Sequence, residues 1–188
     1  MHIGLIGHGR WGKNIEKTLA SFADVQVVHI DKDAPMPEGL DGMCVATPSA
    51  SHADVALPYI EKGIATFIEK PMTTSIESAE KIQNAARASG ALVHVGHIHL
   101  YNPAFLKVLE LLPQIGAMKS MLCEGMNNNP RTDSSVLWDW LPHDLSMALA
   151  IFKKEPEHVE AWVVGEPLAQ IAITKYQFGG ATLMSVMS

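Results

Sequence analysis

From residue 2 to about residue 97, short apolar runs alternate with amphipathic stretches. The runs HIGLI (2–6), VQVVHI (25–30), GMCVA (42–46), ATFIE (65–69) and ALVHVG (91–96) are bounded by Gly, Pro or Asp, which predicts strands. The intervening pattern predicts helices over 11–23, 50–62 and 75–89. Ser75 stands at the start of the last one, and ASG stands at its end as a stop signal. Mostly apolar strands alternating with helices imply a parallel sheet covered on both faces. Right-handed crossovers then make it doubly wound.

After GHIHLYNP the rhythm changes. A helix over 103–112, a strand over 117–124, a loop MNNNPRTDSS and a helix containing WDWLPHDLSMALAIF are expected in turn. Strands at about 158–165, 168–178 and 181–187 follow, and the short turns VGEPL and FGGA between them predict antiparallel pairing. The expected architecture is therefore α/β. A Rossmann dinucleotide-binding domain over 1–98 precedes an α+β domain over 99–188 with an open, mainly antiparallel sheet. The last strand pattern runs to the final residues without a closing element, which leaves an edge to be covered and points to a shortened form of a longer chain.

Composition narrows the function classes. With 47% hydrophobic and 18% charged residues the chain of 188 residues belongs to packed globular proteins. A net charge of −6 without a basic face argues against nucleic acid as a partner. No apolar run reaches the roughly 18 residues that a membrane span requires. The opening MHIGLIGHGRWG has no charged leader of a secretory signal. Cys44 and Cys123 stand far apart in apolar surroundings, as buried thiols of a cytoplasmic protein would.

The segment LIGHGRWG places Gly7, Gly9 and Gly12 in G-x-G-x-x-G spacing between the first strand and the first helix. Gly7 suits a tight turn, Gly9 lets a pyrophosphate approach the backbone, and Gly12 lets helix and strand pack closely. Arg10 and Trp11 lie within the same loop and are assigned with it to the cofactor. Asp31, 19 residues after Gly12, is placed to accept hydrogen bonds from a ribose diol, which favours NAD; the adjacent Lys32 keeps NADP open. Thr47 and Pro48 end the third strand at the crevice where ligands of such sheets bind, and His52 follows. The alternatives are a helix cap at Ser49 or Ser51 and a surface position for His52.

FIEKPM raises a choice between a surface ion pair and a catalytic lysine at Glu69 and Lys70. Both close the fourth strand at the same crevice, and strand neighbours point opposite ways. An ammonium there can hydrogen-bond a substrate hydroxyl and stabilise charge on its oxygen. Downstream, Leu137, Leu141, Leu145, Leu149 and Phe152 form an apolar helical stripe, with Asp139, His143 and Ser146 on another face. The i, i+4 spacing brings Asp139 to His143, a pairing that suits a general base. Asp139 as a helix cap is the alternative. His94, His97, His99 and His143 offer a metal site as a minor reading, with His97 and His99 sharing a strand face; no metal is expected.

With GHGRWG, EKP and the D-x-x-x-H of Asp139 and His143 in this order, the chain resembles the Gfo/Idh/MocA family, the glucose–fructose oxidoreductase and inositol dehydrogenase group. ATPSASH and VGHIHLYNP are similar to its linking segments. The resemblance implies that Lys70 and His143 are the catalytic pair, with Asp139 assisting. It also implies NAD or NADP as hydride carrier, a sugar, nucleotide sugar or cyclitol as substrate, and a homo-oligomer formed through the second sheet. Members are usually longer, and many carry an aromatic residue or an arginine where this chain has His97 and His99. The competing class is a dinucleotide-binding sensor without turnover.

Overall fold

The computed structural model describes residues 1–31, 33–126, 134–165 and 171–188. The chain divides into two compact units, Met1–Gly96 and His97–Ser188. In the first, β1 (His2–Ile6), β2 (Gln26–His29), β3 (Gly42–Val45), β4 (Ala65–Ile68) and β5 (Val93–Val95) alternate with α1 (Arg10–Leu19), α2 (His52–Glu61) and α3 (Ile76–Ser89). The sheet runs β2-β1-β3-β4-β5 and every pair is parallel. The chain leaves β1 toward β2 on one side and reaches β3 on the other. This reversal opens a crevice beyond the carboxyl ends of β1 and β3.

All four residues of β3 are buried, as a central strand covered on both faces requires. Ile6, Met43, Val45, Ile60, Ile68 and Ile82 lead the core, each burial contributing about 1.5–3 kcal/mol. Ser75 caps α3 by accepting a hydrogen bond from the Ser78 N–H at 3.2 Å, and Gly90 at φ 73° closes it. Helix α1 is shorter than the pattern predicts. The Ser21 hydroxyl donates to the Thr18 carbonyl at 2.6 Å and the Phe22 N–H to Leu19 at 3.1 Å, which turns the chain out of the helix before residue 23.

The second unit contains a 3-10 turn (Ile98–Tyr101), α4 (Pro103–Ile115), β6 (Ser120–Gly125), α5 (Val136–Phe152), β7 (His158–Val164), β8 (Ile171–Phe178) and β9 (Ala181–Met187). His97 and His99 thus fall at a 3-10 turn rather than on the strand face the metal reading assumed. Helix α4 outlasts the expected stop: Pro113 sits in its last turn, and the helix ends at Gly116 with φ 87°. The MNNNPRTDSS segment and the VGEPL turn fall largely outside the described residues.

The sheet order is β6-β9-β8-β7. β7–β8 and β8–β9 are antiparallel, whereas β6–β9 is parallel, so the sheet is mixed. The intervening α5, β7 and β8 supply the long crossover that a parallel pair needs. Gly179, at φ 65°, and Gly180 make the two-residue turn between β8 and β9. Strict alternation of burial along β8 and β9 directs Tyr176, Phe178 and Leu183 inward. They form a core with Ala148, Leu141, Leu145 and Phe152 of α5, and the Phe152 and Phe178 rings stack at 4.5 Å. No described helix is long and apolar enough to cross a membrane.

Candidate active site

The glycine loop leaves β1 at Gly7, whose φ of 94° lies in the left-handed region. A Cβ there would stand 2.4 Å from the Ala46 carbonyl, so the loop presses against the exit of β3. A Cβ on Gly12 would meet the Gly7 oxygen at 1.9 Å, whereas one on Gly9 would meet nothing within 4 Å. The first and third glycines are therefore packed against protein, and the second faces open space. Gly9 is also the N-cap of α1; no side chain caps this helix and its first turn holds no acidic residue. Backbone N–H groups at such a terminus suit an anion. The loop thus fits the pyrophosphate of a dinucleotide on its own geometry, with Arg10 and exposed Trp11 in the first turn.

Asp31 is exposed, one residue beyond buried Ile30 at the end of β2. Lys32 lies outside the described residues. Thr47 and Pro48 emerge beyond β3, and the Ser51 hydroxyl lies 2.9 Å from the Thr47 hydroxyl. His52 is 1% exposed, not a surface residue. Its Nδ1 lies 2.8 Å from the Pro71 carbonyl and its Nε2 2.8 Å from the Thr47 carbonyl. Both ring nitrogens lie against backbone carbonyls, so the imidazole ties the β3 exit to the β4 exit.

Glu69 and Lys70 follow β4 directly. Glu69 is 8% exposed and accepts hydrogen bonds from the Trp11 indole N–H and, at 3.2 Å, from the Lys70 N–H. Each carboxylate oxygen accepts one of these bonds, so Glu69 braces α1 against the end of β4. Burial pushes its carboxyl up, while the Trp11 and Lys70 hydrogen bonds and the lysine charge hold it down. Lys70 precedes Pro71 through a cis peptide bond.

In the second unit, Asp139 and His143 stand one turn apart on α5. Ser135 is the N-cap, so Asp139 is not. His143 is 8% exposed; its ring meets His99 edge-on at 4.5 Å and Trp140 at 6.4 Å. Lys70 belongs to the first unit and His143 to the second.

A family model described as an oxidoreductase family with an NAD-binding Rossmann fold matches residues 13–97. The UDP-N-acetylglucosamine 3-dehydrogenase of Acidithiobacillus ferrooxidans is 31% identical over 157 residues, 81% of this chain and 49% of that protein. The first unit of this chain belongs to the Gfo/Idh/MocA family. Inositol 2-dehydrogenase 3 of Saccharopolyspora erythraea, another relative, is 27% identical over 154 residues, 69% of this chain and 46% of its own. The chain spans about half the length of these two curated relatives. The solved A. ferrooxidans enzyme, named GnnA, superposes with a TM-score of 0.87 at 23% identity, covering 100% of this chain and 69% of its own. GenD2 from gentamicin A biosynthesis, crystallised with NAD, gives 0.87 at 20% identity over 99% and 65%. At these identities the two structures establish the fold.

The sequence pattern did not disclose two groups of side chains. Asp144 is 6% exposed, beside the Ser185 hydroxyl and the Cys123 thiol on the inner sheet face. Burial raises its carboxyl, opposed by those two neighbours and by the His99 charge. Its signal was faint: residues 141, 145 and 152 mark the apolar stripe, and Asp144 breaks it. The second group is His8, Glu16 and His29, whose donor atoms all lie within 4.8 Å of one another. Among the described residues it is the only such trio of His, Cys, Asp or Glu, and the minor metal reading around His97 and His99 finds no such trio there.

Proposed function

We propose that this chain provides the dinucleotide-binding and proton-handling residues of an NAD(P)-dependent dehydrogenase acting on a hydroxyl-bearing carbon of a sugar, nucleotide sugar or cyclitol. The observation that carries this reading is the three-way division of the glycine loop, packed at Gly7 and Gly12 and open at Gly9. Asp31 at the end of β2 favours NAD over NADP, since its charge would repel a 2′-phosphate. The named substrates of the relatives, UDP-N-acetylglucosamine and inositol, define the substrate class to test.

Bound NAD would supply the hydride acceptor at C4 of its nicotinamide. His143 takes the hydroxyl proton as general base, and the Asp139 carboxylate one turn earlier supports the charged imidazole. Lys70 donates a hydrogen bond to the reacting oxygen and stabilises the charge that develops there. Glu69 and His52 hold the β4 and β3 exits in place. Two free thiols, with Cys44 pushed up to about 11 and Cys123 to about 12 by burial, suit the reducing cytoplasm. The outer face of the second sheet is assigned to self-association.

The test is a screen of UDP-N-acetylglucosamine, inositols and related sugars, followed by absorbance of the reduced cofactor. Lys70→Ala and His143→Asn should each lower kcat by about 10²–10⁴-fold, with NAD affinity within twofold. NAD binding without turnover on any member of the panel would favour a sensor. Undiminished turnover in both variants would remove the assigned roles.

A further inference from the structure

The strongest group of side chains outside that chemistry lies on the rim of the first unit. His8 stands between Gly7 and Gly9, Glu16 on α1, and His29 at the end of β2. The carboxylate of Glu16 reaches both rings, with Oε2 at 2.6 Å from Nε2 of His8 and Oε1 at 2.8 Å from Nε2 of His29. The two imidazoles meet edge-on, their centroids 4.7 Å apart. Side-chain exposures of 48% and 49% for the histidines and 35% for the glutamate leave the trio open to solvent. Glu16 is held below its ordinary range by the hydrogen bonds from the two imidazoles, so it is an ionised ligand.

We propose that His8, Glu16 and His29 form a binding site for a zinc-class transition-metal ion. Three donors from three separate elements converge on one point, and each histidine turns the same atom, Nε2, toward Glu16. Two imidazoles and one carboxylate are the donor set that suits Zn²⁺, Ni²⁺ or Cu²⁺, whereas Mg²⁺ and Ca²⁺ require oxygen. Ligand atoms about 2.0–2.1 Å from a tetrahedral ion lie roughly 3.4 Å apart. The present separations, within 4.8 Å, need only a small inward rotation of exposed side chains. The ion replaces the protons now shared between imidazole and carboxylate, and its remaining position stays open to water. Because His8 belongs to the glycine loop, an ion there ties that loop to α1 and β2.

This site does not depend on the proposed dehydrogenase activity, so its test uses the full chain without cofactor or substrate. Zn²⁺ is titrated by calorimetry after treatment with a chelator, and Co²⁺ is followed by its visible absorption. One ion per chain is expected, and its affinity falls with acidification as protons compete for the same nitrogens. Glu16→Gln and His29→Ala should each weaken binding at least tenfold, with unchanged circular dichroism. His94→Ala, at an exposed histidine outside the trio, should leave it unaltered. Absence of binding at ~100 μM metal, a micromolar order typical of weak sites, overturns the proposal. So does an affinity that survives both cluster substitutions.

Discussion

Asp144 carries a carboxyl group into the interior of the second unit, and its ionisation works against the fold. Burial favours the neutral acid, so the folded state binds its proton more tightly than the unfolded chain does. Between the ordinary aspartate value of about 3.9 and the raised folded value, the folded state holds more protons, and stability therefore falls as pH rises. Above the folded value the whole penalty is present; below the unfolded value it is absent. Asp144→Asn keeps the shape and removes the ionisation. Its melting temperature relative to the parent should be lowest near pH 4 and should climb toward pH 8. Paired thermal melts across that range measure the difference, and a gap that narrows with rising pH would contradict the burial argument. Glu16, equally acidic in sequence, lies in the opposite situation: two imidazoles at the surface lower its value, and no burial opposes them strongly enough to reverse that.

At the level of elements, the loop between β1 and α1 separates packing from access. Gly12→Ala places a methyl group 1.9 Å from a backbone oxygen that cannot rotate away, so α1 must move off β1. Overpacking of this kind costs about 1–3 kcal/mol or more. Gly9→Ala meets open space at an ordinary φ of −73° and should cost no more than about 1 kcal/mol. Urea titrations of the two variants should therefore differ clearly in midpoint; equal midpoints would contradict the division. The strand–helix alternation and this loop were legible because period and glycine spacing are written in neighbouring positions. His52 was not, because its carbonyl partners belong to Thr47 and to Pro71, 19 residues away. Asp144 was hidden for a related reason: it faces Cys123 and Ser185 only after β6 and β9 pair in register. The parallel β6–β9 pair likewise depends on a crossover that strand patterns alone do not specify.

For the molecule as a whole, the second sheet has one face covered by α5 and an opposite face that carries a group of apolar side chains. Register places Leu122, Met184, Ile173, Val186, Trp162 and Val164 on the face opposite the core. Several are widely exposed, with Val164 at 69%, Leu122 at 63% and Trp162 at 50%. Apolar surface gathered on one sheet face marks an association site, and a second copy of the same face offers matching chemistry through twofold pairing. Trp162, on edge strand β7 beside Ile173, would act as an anchor of such a contact, where truncation or charge typically costs about 2 kcal/mol or more, about 30-fold in affinity. The protein should therefore sediment as a dimer or larger species. Trp162→Glu combined with Met184→Glu should shift it to single chains at micromolar concentration without loss of secondary structure, because both side chains point away from the Phe178 and Leu183 core. A parent protein that is already monomeric, or a double variant that keeps the parental size, would rule this face out as the interface.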